Sequence, residues 1–205
     1  MKPSPLRPVL LLLLWSAAAT VAGAFHLFAH LPPFAIPALI AGLTIGFSLA
    51  LVRVPWLREA AASIGALPIL AAHLVRFVGF YFLWLHGQGR LPVEFAQRAG
   101  WGDIAAAGGA LALLFWPEGK EFRRALFWWN IIGALDLLLA VGTAAWLNFT
   151  RPGSMNELSS LPLSYVPLLL VPLLLPSHIH LLRQHCATAC RTTSGLQEPV
   201  SIAGR

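Results

Sequence analysis

The 205-residue chain is 58% hydrophobic and only 11% charged, with a net charge of +6 and a mean hydropathy of +0.73. A soluble domain carries about 25% charged residues, so this composition excludes an ordinary water-soluble domain. The basic residues stand between apolar runs and not along one exposed face, which excludes the patch that a nucleic-acid binder needs.

A helix needs about 20 apolar residues to cross a bilayer, and six segments qualify in chain order. They are Val9 to Phe28, Phe34 to Val52, Ala60 to Leu85, the shorter Gly102 to Trp116, Ala125 to Leu147, and Pro162 to Leu182 with Pro167, Pro172 and Pro176 inside it. The expected fold is all-α: a polytopic membrane bundle over residues 1–183, followed by a disordered cytoplasmic tail over 184–205. With the N-terminus inside, the inner segments hold ten basic residues: Lys2, Arg7, Arg53, Arg58, Lys120, Arg123, Arg124, Arg183, Arg191 and Arg205. The outer loops hold three, Arg90, Arg98 and Arg151. That asymmetry places both termini in the cytoplasm. The first segment also has a basic start and an "AGA" at Ala22–Ala24, as a cleaved signal peptide would over residues 1–24. Its apolar run is long enough to span, so a retained helix is expected. Cys186 and Cys190, beside His185, read as unpaired thiols because no second ligand pair accompanies them.

The fifth segment, "FWWNIIGALDLLLAVG", carries Asp136 at its centre, and an ionisable group at that depth normally faces the bundle and finds a partner. His73, Arg76 and Gly79 form one stripe of the third segment. Asn130, Gly133, Asp136 and Ala140 form a similar arc of the fifth. Residue numbers place Arg76 and Asp136 at similar depth, so a pair between them is expected. His73, Arg76, Asn130 and Asp136 are the candidate pocket for a ligand or proton; a packing network without chemistry is the alternative.

At the expected outer edge, Arg90, Glu94, Trp101 and Asp103 form a polar loop. Trp101 would anchor at the headgroups, and Asp103 would cap the fourth helix. His26, His30 and His86 gather at the same edge, but no carboxylate accompanies them, so no metal site is expected. A b-type haem calls for two axial histidines on facing helices; only His73 lies well inside a span, which weighs against haem. Ala105, Gly108, Gly109 and Ala112 share one face of the fourth helix, a seam for another helix or for a partner subunit. No Ser-His-Asp set, P-loop or dinucleotide fingerprint occurs.

The run from "RFVGFYFLWLHGQGRLPVEFAQRAGWGD" through "WNIIGALDLLLAV" and "RPGS" to "LPLSYVPLLLVPLLLPSHIHLLR" resembles a family of bacterial multi-pass inner-membrane proteins of unknown function. The resemblance spans Arg76 to Arg183 and rests most on "AGWGD" at Ala99–Asp103 and on Trp129, Asn130 and Asp136. It implies a location and a topology but no chemistry. The leading expectation is a protein that binds or passes a small solute, lipid or proton. The alternatives are an enzyme acting at the outer face on a lipid or quinone, and an accessory subunit of a membrane complex.

Overall fold

The computed structural model describes residues 6–27, 31–32 and 34–194, with side chains up to residue 186. These residues are helical, without strands. The elements are α1 (Leu6–Ala24), α2 (Ala35–Arg53), α3 (Pro55–Ala62), α4 (Ala66–His73), a 3₁₀ stretch (Leu74–Val78), α5 (Gly79–Gly87), α6 (Val93–Leu114), α7 (Lys120–Thr150), a 3₁₀ turn (Asn156–Ser159), a π turn (Val166–Leu170) and α8 (Val171–Ser194). Five stretches are long and apolar enough to cross a membrane: Leu6–Ala24, Ala35–Arg53, Ala66–Gly87, Lys120–Thr150 and Val166–Cys186.

Three boundaries differ from the sequence expectation. The third apolar segment does not begin at Ala60. Residues 63–65, which end in Gly65, break it, and the preceding α3 is a short amphipathic helix that buries only Leu57. The fourth segment starts at Val93, nine residues before Gly102. Pro92 fixes its entry, a residue whose missing N–H costs nothing at a helix start. Residues 93–103, expected as loop, are therefore two to three turns of helix. The last helix continues through the expected tail boundary to Ser194, and residues 195–205 lie outside the described residues.

Contacts along α4–α5, α6 and α7 run in mirror order, which makes these sequence neighbours antiparallel. Trp15 meets Phe47 across α1 and α2. Phe82 meets Phe95 near one end of the α5–α6 hairpin, and Leu70 meets Ala110 and Leu113 near the other. Trp129 Nε1 donates to Ala106 O at 2.9 Å across α6 and α7. Asn130 meets His178 across α7 and α8. The α5–α6 turn closes as a Schellman motif: Arg90 N–H bonds Leu85 O at 3.0 Å, Gly89 N–H bonds His86 O at 2.8 Å, and Gly89 takes φ +70°. We call the end that holds this turn the upper end and the end that holds Ala66 the lower end.

α6 falls outside the five apolar stretches because Gln97, Arg98 and Asp103 dilute its hydropathy. Yet it packs against both α4–α5 and α7, and it buries Phe95, Ala99, Gly100, Ala106 and Ala110. Small residues let those neighbours approach closely. Within the chain, only part of the expected seam of Ala105, Gly108, Gly109 and Ala112 is packed. Ala105 and Ala112 are exposed and Gly108 has open space beside it, whereas Gly109 packs on Trp129. α5 and α6 approach closely at Gly79 and Gly100, where a Cβ on Gly79 would collide with the carbonyl oxygen of Gly100.

Apolar side chains cover much of the outside. Leu13, Phe80, Trp84, Trp128, Ile132, Leu139 and Trp146 are all exposed, a surface that water does not favour over such an area. Inside, one apolar cluster closes the upper half with Phe82, Leu85, Phe95, Leu147 and Met155. Another closes the lower half with Leu70, Ala110, Leu113 and Phe122.

Gly79→Ala should lower stability by about 1–3 kcal/mol, the usual cost of overpacking, because its obstacle is backbone and cannot change rotamer. Gly108→Ala should be neutral or slightly stabilising, since alanine is the better helix former. Thermal unfolding of both variants in detergent checks this; equal effects would contradict it.

Candidate functional site

Between the two apolar clusters lies a polar centre built on Arg76. The side chain is 2% exposed, and all three guanidinium nitrogens donate. Nε bonds Asp103 Oδ1 at 2.7 Å, Nη1 bonds Gly133 O at 3.2 Å, and Nη2 bonds Asp136 Oδ2. The expected contact between Arg76 and Asp136 is thus direct. Asp103 lies elsewhere than the sequence led us to expect. It does not cap α6 but sits midway along it, buried, as the second carboxylate of the cluster.

Two glycines make room for this arrangement. A Cβ on Gly102 would occupy the position of the Asp136 carboxylate. A Cβ on Gly133 would stand 2.9 Å from His178 Cε1 and 3.4 Å from Arg76 Nη1. The three residues of the cluster are not equally enclosed. Asp136 keeps 20% of its side-chain surface open, against 8% for Asp103 and 2% for Arg76.

Next to Arg76 stands a pair of imidazoles. His73 and His178 are fully buried, with ring centroids 4.5 Å apart, and Trp129 packs edge-on to His73 and tilted to His178. His178 was expected near the lower edge; the antiparallel run of α8 brings it level with His73. Asn130 Nδ2 donates to His178 O at 3.0 Å, which turns its Oδ1 toward His178 Nδ1 at 2.7 Å. His178 therefore donates from Nδ1. Ser177 Oγ gives its hydrogen to Leu174 O at 2.7 Å and lies 3.0 Å from His73 Nε2, so His73 donates from Nε2. One lone pair remains on each ring, at His73 Nδ1 and at His178 Nε2. Both atoms are buried without a partner, a costly condition for a polar group. The touching rings leave no room for a haem between them.

The expected outer-loop set does not converge. Arg90 bonds Glu157 through Nε at 3.0 Å and Nη2 at 2.6 Å, and Glu94 pairs with Arg151. These ion pairs tie the α5–α6 turn to the loop after α7. Trp101 is exposed two turns inside α6, level with the polar centre and not at an edge. His26 Nδ1 meets Ser160 Oγ at 3.1 Å and His86 Nδ1 meets Leu91 O at 3.2 Å, while His30 lies outside the described residues. Among the described residues no three His, Cys, Asp or Glu side chains gather to hold a metal ion.

A vestibule of about 300 Å³ opens at the lower end, lined in part by Ala66, Phe122, Leu126, Leu181 and Gln184. Leu126 is four residues before Asn130, so at a rise of 1.5 Å per residue its level is about 6 Å below the imidazole pair.

A family model described as a domain of unknown function (DUF8737) matches residues 33–184. No curated protein and no solved structure matches the chain. The matched stretch contains every residue of the polar centre. It also reaches well before Arg76, where the resemblance read from the sequence begins.

With two carboxylates around one guanidinium, either acid alone can compensate the buried cation. Asp103→Asn or Asp136→Asn should each cost about 1.5–3 kcal/mol, the scale of one hydrogen bond to a charged group. The double change strips both acids and leaves the guanidinium uncompensated, which adds about 3–5 kcal/mol. Denaturant unfolding of the four proteins in detergent should show a double variant worse than the sum of the singles. Additive losses would contradict the shared role.

Proposed function

This chain belongs to the DUF8737 family, and we propose that it is an integral membrane protein that takes up a proton at the Arg76 centre. In this reading α1, α2, α4–α5, α6, α7 and α8 cross the bilayer in alternating directions. The antiparallel packing of α6 against α4–α5 and α7 supports including it, since it is packed between two apolar neighbours. The charge asymmetry of the sequence supports a cytoplasmic side for both termini and the vestibule, and the resemblance read from the sequence supports a bacterial inner membrane.

The observation that carries the reading is a charge count. One guanidinium faces two carboxylates, so the ionised cluster holds one negative charge in excess, deep in an apolar bundle. An unpaired charge in such a medium is strongly disfavoured, and one proton cancels it. Asp136, the acid with open surface, is the side chain that receives it. The free lone pairs of His73 and His178 supply two further acceptors between this cluster and the vestibule. Ionisable residues at membrane depth characteristically mark such pathways.

The test is proton uptake in liposomes. Purified protein is reconstituted with an entrapped pH-sensitive dye, and a potassium diffusion potential drives protons inward. The wild type should acidify the lumen faster than protein-free liposomes. Asp136→Asn should abolish the excess rate while keeping most of the stability. His178→Phe should slow it. Liposomes as tight with the wild type as without protein would sink the proposal and leave the cluster as a device for helix packing.

A further inference from the structure

At the lower end a second feature stands apart from the polar centre. α2, α3 and α8 enclose a groove of about 500 Å³. Arg58 from α3 and Arg183 from α8 line its rim, and Leu49, Val52, Pro176 and Ile179 line its wall. Both arginines are exposed, and neither has an ion-pair partner among the described residues. No Asp or Glu lines the groove. His180 lies between the two zones and bonds Gln184 at 2.9 Å.

The order of these residues along α8 matters. Pro176 is seven residues before Arg183, so the apolar wall extends about 10 Å deeper than the guanidinium. Charge sits at the mouth and hydrocarbon-like surface lies toward the middle of the bundle. A free phosphate would use only the first zone. A phospholipid uses both, with its phosphate at the arginines and an acyl chain along Leu49 and Ile179. Basic pockets between helices on the cytoplasmic side favour anionic headgroups in this way.

We propose that the groove between α2, α3 and α8 binds an anionic phospholipid, with Arg58 and Arg183 holding the headgroup phosphate. The proposal rests on the membrane reading above but not on proton uptake.

The experiment uses the full chain, released from detergent micelles and examined by native mass spectrometry after titration with phosphatidylglycerol or phosphatidylcholine. The wild type should retain phosphatidylglycerol in preference. Each of Arg58→Gln and Arg183→Gln should weaken that retention about fivefold, and the pair about 25-fold, from roughly 1 kcal/mol per basic residue near an anionic surface. Phosphatidylcholine retention should not change. Both side chains are exposed, so thermal unfolding of the variants should match the wild type. Equal retention of the two lipids, an unaffected double variant, or displacement of phosphatidylglycerol by millimolar inorganic phosphate would each overturn the site. Carbonate extraction of native vesicles separates the two layers of the argument. A chain that stays in the membrane but shows no lipid preference defeats the groove alone, and a chain that is washed off defeats the membrane reading with it.

Discussion

The bundle is organised around one guanidinium. Arg76 reaches α6 through Asp103, α7 through Asp136, and the α7 backbone through Gly133 O. Three helices are thus fixed in depth and rotation at a single point. Apolar packing alone tolerates sliding, because one leucine face is much like another. A buried cation does not tolerate it, since a displacement of one turn would leave donors unpaired in an apolar medium. The neighbouring substitutions follow from that constraint. Gly102 clears the space for the second carboxylate, Gly133 exposes its carbonyl and admits His178, and Gly79 lets α5 come close enough to α6 for Arg76 to reach Asp103.

The two apolar clusters above and below give the centre its chemical character. They separate it from the ends of the bundle, so Arg76, His73, His178 and Asn130 are buried. In that setting the hydrogen-bond inventory becomes informative. Arg76, Asn130 and Ser177 are satisfied, while two imidazole nitrogens are not. These two nitrogens are acceptors that no hydrogen bond among the described residues uses.

Much of the fold was legible in the sequence. The helical class, the apolar segments, the Arg76–Asp136 pair and the polar faces of His73 and Asn130 all followed from hydropathy and from the 100° step of a helix. The misplacement of Asp103 and Trp101 has one origin, the start of α6. Residues 93–103 contain Glu94, Gln97, Arg98 and Asp103, and their polarity resembles a loop when burial is unknown. Once Pro92 is taken as the entry to a helix, the hairpin turn falls near residues 89 and 90, and antiparallel mirroring places 103 opposite 76. That arithmetic was available and would have found Asp103. The position of His178 was less accessible, because it depends on how α8 stacks against α4, and the π turn at Val166–Leu170 shifts that register without a clear mark in the sequence beyond Pro167.

Arg76 lies inside the five-residue 3₁₀ stretch Leu74–Val78. Such a stretch advances about 120° per residue where an α-helix advances about 100°, and it rises about 0.5 Å more per residue. Over five residues the difference is about 100° of rotation and about 2.5 Å of length. The helix formed by α4 and α5 therefore behaves as a screw with one thread pitched differently. The guanidinium clamps that thread from the side. In such a stretch residues three apart eclipse each other, so His73 and Arg76 come to nearly the same side of the helix. The imidazole that touches His178 and the guanidinium that holds Asp103 and Asp136 are thereby stacked into one polar column.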